Sequence, residues 1–429
     1  MEAYENRIIN GLLKAEAIDD PERAVDLLAR DFEIIADPAR ATEDDLWPAI
    51  WALAAVLERQ FSGHIVITAG LERPLRQPAS LGPRCHFEPR QCSDNATRIY
   101  LGCQPSKPDL ALWGDTRKAT IRYGSLIDSA ERASPLGCFA LAGYLGFASL
   151  ALAARLPGYR EEFATTQIEL PFQDLILPKL PEEGLEFVGL GHLGQAYLAL
   201  FFFLALGTWP PPQVQLLDKD FFETANWSTQ ILIETEKSWK GEAKAEYLRE
   251  RVRSWGWRAD SDRTEITWGW HRSETHSKFA VLGLDKFDVR RMAINGGYTW
   301  VFDAGVGDSF LRPRISWHSI PADNALAKRL FPETEATVVT LPLPTTPFID
   351  RLRDTPGGCG LLTYQGTTAS APSLGLVASA FLWSELLCFL SGNQQQIQGS
   401  ATIWSPLLPF LRTELLHRTD EPCKASLNC

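Results

Sequence analysis

The sequence predicts an α/β fold in two tandem halves behind a helical lead-in, and three observations carry that prediction. A chain of 429 residues with 45% hydrophobic content exceeds one ordinary core and asks for two domains of roughly 150–200 residues each. The apolar run Leu185–Val188 leads directly into Gly189-Leu-Gly191-His-Leu-Gly194, the strand, turn and helix start of a nucleotide-binding unit. Two long apolar stretches open alike, Ser134-Pro135-Leu136-Gly137 and Ala371-Pro372-Ser373-Leu374-Gly375, which suggests one unit occurring twice. Coincidence between two apolar helices is the alternative reading.

From Glu5 to Gln60 the apolar spacing is helical: Ile8, Leu12 and Leu13, then Ala24, Leu27 and Leu28, then the run from Trp47 to Leu57. From His64 the pattern changes to short β-rich runs, His64–Thr68, Arg98–Leu101 and Ala119–Tyr123, with the segment from Arg76 to Asn95 as a surface loop. The first apolar helix is expected to end at Gly158 and the second at Gly392. Leu136–Ala154 and Ala196–Gly207 could be taken for membrane spans. The second is too short, and the first holds Gly137, Gly143 and Gly146 without basic flanks, so both are expected to be buried helices and no membrane partner is expected. Prolines 171, 178 and 181 mark a linker, dividing the chain into 1–180 and 181–429. In this alignment of the repeat, Ile65-Val-Ile-Thr-Ala-Gly70 of the first half stands where the second has its three-glycine turn. The nucleotide site therefore belongs to the second half.

Glycines in such a turn let the backbone approach phosphate oxygens and aim helix N-terminal amides at them. The next apolar run, Val214–Leu217, ends in Asp218-Lys-Asp220, where a ribose hydroxyl would meet an acceptor. Any common nucleotide binder could show this much. Asn226, Gln230, Gly241 and Lys244 follow in order, and Phe279–Leu284 reads as a buried strand ending in Asp285, with Arg290 five residues on.

Together these residues resemble the ThiF/MoeB and ubiquitin-activating superfamily of ATP-dependent adenylating enzymes. Its pattern is Gly-x-Gly-x-x-Gly, Asp-x-Asp, Asn-x-x-Arg-Gln, Gly-x-x-Lys and an aspartate closing a later strand. The resemblance implies two tandem Rossmann-like adenylation domains, the first degenerate. It implies ATP on Gly189, Gly191 and Gly194, with Asp218 and Asp220 at the ribose, Asn226, Gln230 and Lys244 at the phosphates, and magnesium on Asp285. Arg7 stands where relatives send an arginine into the site from the partner domain's N-terminal segment, and Cys359 in Pro356-Gly-Gly-Cys359-Gly stands where thioester-forming members carry their cysteine. The implied reaction is adenylation of the C-terminal glycine of a ubiquitin-like protein, thioester formation and transfer to a ubiquitin-conjugating-enzyme-like partner. Compact forms of this kind occur in bacterial operons for ubiquitin-like conjugation, some tied to antiviral defence. One position departs from the pattern: Thr229 replaces the arginine of Asn-x-x-Arg-Gln, and a hydroxyl cannot neutralise a triphosphate.

Bulk properties narrow the alternatives. A net charge of −11 without a Lys/Arg block argues against nucleic acid. Eight cysteines without a C-x-x-C pair read as cytoplasmic thiols and give no structural zinc. The start, Met1–Arg7, lacks a secretory pattern. The seven histidines do not cluster; His192 reads as a helix-start residue, and His271 as packing on an aromatic strand edge, Trp268–Arg272. Three other functions stay open: sulfur-carrier adenylation of the ThiF/MoeB type, an NAD-dependent oxidoreductase using the same glycines and Asp218, and a scaffold that has lost catalysis.

Overall fold

Five residues, Phe32–Ala36, organise the first half. The computed structural model describes residues 6–87, 96–101, 112–115, 120–123, 134–156, 170, 177–234, 239–307, 310, 313–322, 324–331, 370–392, 396–402 and 411–415. Helices α1 (Arg7–Lys14) and α2 (Pro21–Leu28) form the lead-in. Asn6 caps α1 by accepting from Ile8 N at 2.9 Å, and Asp20 caps α2, with Pro21 pre-set for its first turn. The helical reading of 5–60 fails next, at β1 (Phe32–Ala36). This segment alternates buried and half-buried side chains and carries two adjacent isoleucines, which favours a pleated strand over a third helix. Helix α3 (Trp47–Gln60) is buried on every side.

Strands β2 (Ile65–Thr68), β3 (Cys85–Phe87), β4 (Thr97–Leu101), β5 (Leu112–Asp115) and β6 (Thr120–Tyr123) complete a six-stranded sheet ordered β3-β2-β1-β4-β5-β6. Only the β5–β6 pair is antiparallel. Helix α4 (Pro135–Ala154) follows. It closes on Arg155 in the left-handed conformation (φ 52°) rather than running to Gly158, which lies outside the described residues.

The second half repeats this order. It contains β7 (Leu185–Val188), α5 (His192–Ala205), β8 (Gln213–Leu217), a 3-10 turn (Thr224–Ser228), α6 (Lys244–Ser254), β9 (Arg258–Asp262), β10 (Phe279–Leu282), α7 (Phe287–Ile294), β11 (Trp300–Val306), β12 (Arg314–Pro321), α8 (Asn324–Leu330), α9 (Pro372–Leu390), β13 (Gln396–Thr402) and β14 (Leu411–Leu415). Its sheet runs β14-β13-β12-β11-β10-β7-β8-β9, parallel from β9 to β11 and antiparallel from β11 onward. The molecule is thus α/β with two Rossmann-like sheets. The topology also corrects the repeat alignment. The counterpart of β7 is β1, with Ile34 paired to Ile67 and Ile99 as Phe187 is paired to Leu216 and Val281. Ile65–Thr68 therefore corresponds to β8, not to the strand before the glycines.

The parallel strands of the second sheet are covered on both faces, as βαβ crossovers require. Phe187, Leu216 and Val281 point into the main core, while Val188, Leu217 and Leu282 meet Ala293, Ile294 and Ala327 on the other face. Between the two sheets lie α3, α4, α5 and α9. Helices α4 and α9 are each long and apolar enough to cross a membrane by length and composition, and both are buried inside the fold. They approach so closely that a Cβ on Gly143 would lie 2.4 Å from the Ser373 carbonyl oxygen, which only glycine tolerates. Trp383 fixes α9 against α5, stacking on Phe201 at 4.7 Å and donating from its indole nitrogen to Tyr197 O at 3.0 Å. The aromatic segment Trp268–Arg272, expected as a strand edge, is a turn and loop with Trp268 exposed. Trp and His supply no alternation there that a neighbouring strand could bury.

Candidate nucleotide site

The second half builds its site where β7, β8 and β10 end, the side of a parallel sheet on which crossover turns open a crevice. Gly189 leaves β7 at φ +83° and donates to Leu217 O at 2.8 Å. Only glycine adopts that conformation without strain. Gly194 packs against the turn: an added Cβ would sit 2.1 Å from Gly189 O. Gly191 differs from both, since nothing lies within 4 Å of where its Cβ would be. It precedes α5 and offers no side-chain cap, so the first amides of that helix face an open cradle with the positive end of the dipole behind them. Those features fit a phosphate.

Asp218 is nearly buried, and its two oxygens accept from Leu190 N at 2.6 Å and Asp220 N at 2.8 Å. Burial raises its pKa, against the opposing pull of Lys244 and the two amides. Asp218 therefore braces the glycine turn, and the carboxylate open to solvent is that of Asp220. A short antiparallel clasp brings the lysine in: Phe222 N donates to Glu242 O at 2.9 Å, Gly241 N to Phe222 O at 2.9 Å, and Lys244 N to Asp220 O at 3.0 Å. Lys244 opens α6, is buried along its stem, and reaches Asp220 Oδ2 at 3.3 Å. Asn226 accepts from Glu223 N at 2.9 Å and closes a capping box with Glu223 over the 3-10 turn. Gln230 is buried and accepts from Gln195 Nε2 at 2.7 Å.

Thr229 is 0% exposed, and among the described residues its hydroxyl has no hydrogen-bond partner. It does not open onto the crevice. Asp285 follows β10 and is exposed. Behind it, Arg290 donates to Leu284 O at 2.9 Å through Nε and to Asp303 Oδ2 at 3.0 Å through a terminal nitrogen. That ion pair holds the turn bearing Asp285. Among the described residues no three His, Cys, Asp or Glu side chains gather as metal ligands. A lone carboxylate beside a phosphate cradle nevertheless fits magnesium, which takes one or two carboxylates and fills its remaining positions with phosphate oxygens and water.

Arg7, the first residue of α1, is half-buried at this site: burial lowers its pKa, while the negative charges of Asp285 and then Glu223 oppose that fall. The structure thus brings the N-terminal arginine into the same field as Asp285. His192 starts α5, with Nδ1 2.7 Å from Ser370 Oγ at the foot of α9. Burial, then the positive charge of Arg7, pulls its imidazole down to about 4, so it is neutral at physiological pH. Cys359 lies outside the described residues, as do Cys92, Cys103, Cys423 and Cys429. Cys85 and Cys138 are thiols, both pushed up by burial.

One residue at this site was missed from the sequence. Arg59, at the end of α3 in the first half, is buried among backbone carbonyls of the second: it donates to Gln230 O at 3.3 Å and Ile233 O at 2.5 Å, and its guanidinium lies 3.4 Å over the Trp227 ring. Burial pulls its pKa down to about 10, with Glu58 opposing the fall. The sequence signal was the charged pair Glu58-Arg59 closing an otherwise apolar helix.

Residues 180–393 match a family model described as the BilD C-terminal domain. No curated protein matches the chain. Among solved structures, the chain is similar to E. coli MccB with ATP at 13% identity and a TM-score of 0.35, over 55% of this chain and 64% of that one. It is similar to E. coli MccB with AMPCPP and MccA at 13% identity and a TM-score of 0.32, over 53% and 62%. For PaaA the identity is 15% and the TM-score 0.31, over 51% and 60%. The chain therefore spans less than two thirds of the length of these solved relatives.

Proposed function

We propose that this chain is an ATP-dependent adenylating enzyme for the C-terminal glycine of a ubiquitin-like protein. In this reading residues 1–180 form an inactive adenylation domain and residues 181–429 the active one. The observation that carries it is the placement of Gly191, of Asp220 with Lys244, and of Asp285 just beyond the ends of β7, β8 and β10, with Arg7 in the electrostatic field of Asp285. Three of these answer the charge of a triphosphate, and a nicotinamide dinucleotide would leave that concentration of groups without a task.

The chemistry follows from the placement. The carboxylate of the carrier attacks the α-phosphorus; the bond from that phosphorus to the bridging oxygen breaks, and pyrophosphate leaves. Catalysis of this first step is positioning and charge stabilisation, because no side chain of the protein forms a bond in it. Amides of the α5 N-terminus would hold phosphate oxygens, Lys244 and Arg7 would offset charge growing on the leaving group, and Asp220 would accept from the ribose hydroxyls. Asp285 would hold magnesium, which would supply further charge neutralisation for the departing pyrophosphate. In the second step the thiolate of Cys359 attacks the acyl-adenylate carbonyl, AMP leaves, and a thioester forms. A conjugating-enzyme-like partner would then accept the acyl group in the cytoplasm.

Incubation with ATP, magnesium and a candidate carrier tests both steps. The expected results are carrier-dependent AMP formation and a DTT-sensitive adduct that disappears in Cys359→Ala. Failure of AMP to form with any ubiquitin-like carrier ending in glycine would remove the adenylation reading. AMP formation without an adduct would reduce it to adenylation alone, the sulfur-carrier type of activity.

A further inference from the structure

We infer that Arg59 of the first half is the positioning residue that sets the nucleotide turn of the second, through a buried relay of two glutamines. The identity of what the turn holds rests on the adenylation reading; the mechanical link does not. A buried guanidinium is stable only where its donors are met. Arg59 meets them mostly outside its own half, on Gln230 O, Ile233 O and the face of Trp227, with Glu58 Oε2 at 3.1 Å as its counter-ion. Glu58 is fixed in turn by Gly82 N at 3.0 Å. The first half therefore grips the backbone of the 230–233 segment with a braced charge.

From that segment the relay runs inward. Gln230 Oε1 accepts from Gln195 Nε2 at 2.7 Å, the same nitrogen donates to Leu190 O at 3.2 Å, and Gln195 Oε1 accepts from Leu232 N at 3.0 Å. Gln195 is 0% exposed and Gln230 1%, so water cannot replace any of these bonds. Leu190 lies between the first two glycines of the turn. Its amide is held by Asp218 and its carbonyl by Gln195, so both polar atoms are pinned. The Leu190 carbonyl shares a planar trans peptide with Gly191 N–H. Fixing the oxygen inward turns that N–H the opposite way, towards the side where a Gly191 Cβ would meet nothing. The amide best placed for a phosphate is thus aimed by a chain of contacts that begins in the other half. Thr229 occupies the family's arginine position without contributing charge, and the cation that acts on this segment enters from α3 instead.

The test compares wild type, Arg59→Gln, Arg59→Lys and Trp227→Leu in the full chain. In the nucleotide-free protein, Arg59→Gln is expected to speed amide exchange in 189–195 by about tenfold or more, while β11 keeps its protection. In ATP–pyrophosphate exchange it should raise KM for ATP by about tenfold with kcat within about threefold, the split expected of a misaligned binding turn. Arg59→Lys, which keeps the charge, should recover part of both effects. Unchanged exchange in 189–195, or equal loss of protection throughout the chain, would overturn the relay. If Arg59→Gln does not fold, Trp227→Leu removes only the stacking face and must show a smaller change of the same kind; no change there overturns the inference. A wild type without ATP turnover would sink the adenylation reading, while the exchange measurement on the nucleotide-free protein still judges the relay.

Discussion

The connection after β1 and the connection after β7 occupy the same place in two copies of one topology, and they do opposite things. After β7 the chain turns within Gly189–Gly191 and starts a helix whose first amides face an open cradle. After β1 it wanders through Asp37–Leu46 and closes on itself: Asp37 Oδ1 accepts from Ala39 N at 2.9 Å, and Arg40 holds Asp45 with two bonds of 2.9 Å. That loop contains no glycine, and its charges are paired: Arg40 with Asp45, and Glu43 with Arg76 beyond the loop. The sheet, the strand order and the following buried helix are shared by both halves. The two halves therefore differ in a few residues beyond one strand end, and Arg59 of the first half contacts the backbone of the second at Gln230 and Ile233.

Breaking what the halves share should have the largest effect. Trp383→Ala removes the stack on Phe201 and one buried hydrogen bond, and should cost about 3–5 kcal/mol of stability in denaturant unfolding. Next comes the chemistry that separates the two halves. Lys244→Ala is expected to lower ATP–pyrophosphate exchange by about 100- to 1,000-fold, whereas Arg40→Ala in the equivalent loop of the first half should leave exchange within about twofold and register only as a small loss in melting temperature. A finer probe is Gly191→Ala. Its methyl meets no protein atom within 4 Å, so stability should stay within about 0.5 kcal/mol while ATP affinity falls by about tenfold, measured by titration calorimetry. An unchanged affinity would mean that the cradle is not where phosphate sits.

The smallest effect concerns pH. His192 has its pKa lowered from 6.5 to about 4 in the fold, so the folded state sheds its proton more readily than the unfolded one. Its contribution to stability is complete above about 6.5 and is lost as pH falls towards about 4. Urea unfolding of His192→Gln across that window should show a shallower decline than wild type. Parallel curves would assign the acid sensitivity to other groups.

Legibility tracked range along the chain. The glycine turn and the strand end at Asp218 could be read because each depends on residues close in sequence, and local backbone geometry restricts which residue types fit; the clasp that carries Lys244 could not. β1 could not be read: five residues between two helical segments follow either period, and only pairing to β2 and β4 resolves them. The misplaced repeat follows from that omission, since without β1 the next apolar run takes its place. Asp218 was expected at a ribose and not as a brace, because its partners are backbone amides that any sequence carries. Arg59 lies far from Gln230 in the chain, and no local pattern announces a partner at that distance.

By itself the sequence determined the α/β class and the half that carries the glycine turn, because these rest on residue type and short spacing. Tertiary structure alone decided that Arg7 shares the field of Asp285, that Thr229 faces the interior, and that Arg59 of the first half meets backbone carbonyls of the second. Those facts depend on how α1 and α3 lie against the second half. Packing of buried surfaces fixes that arrangement only when the whole chain is folded.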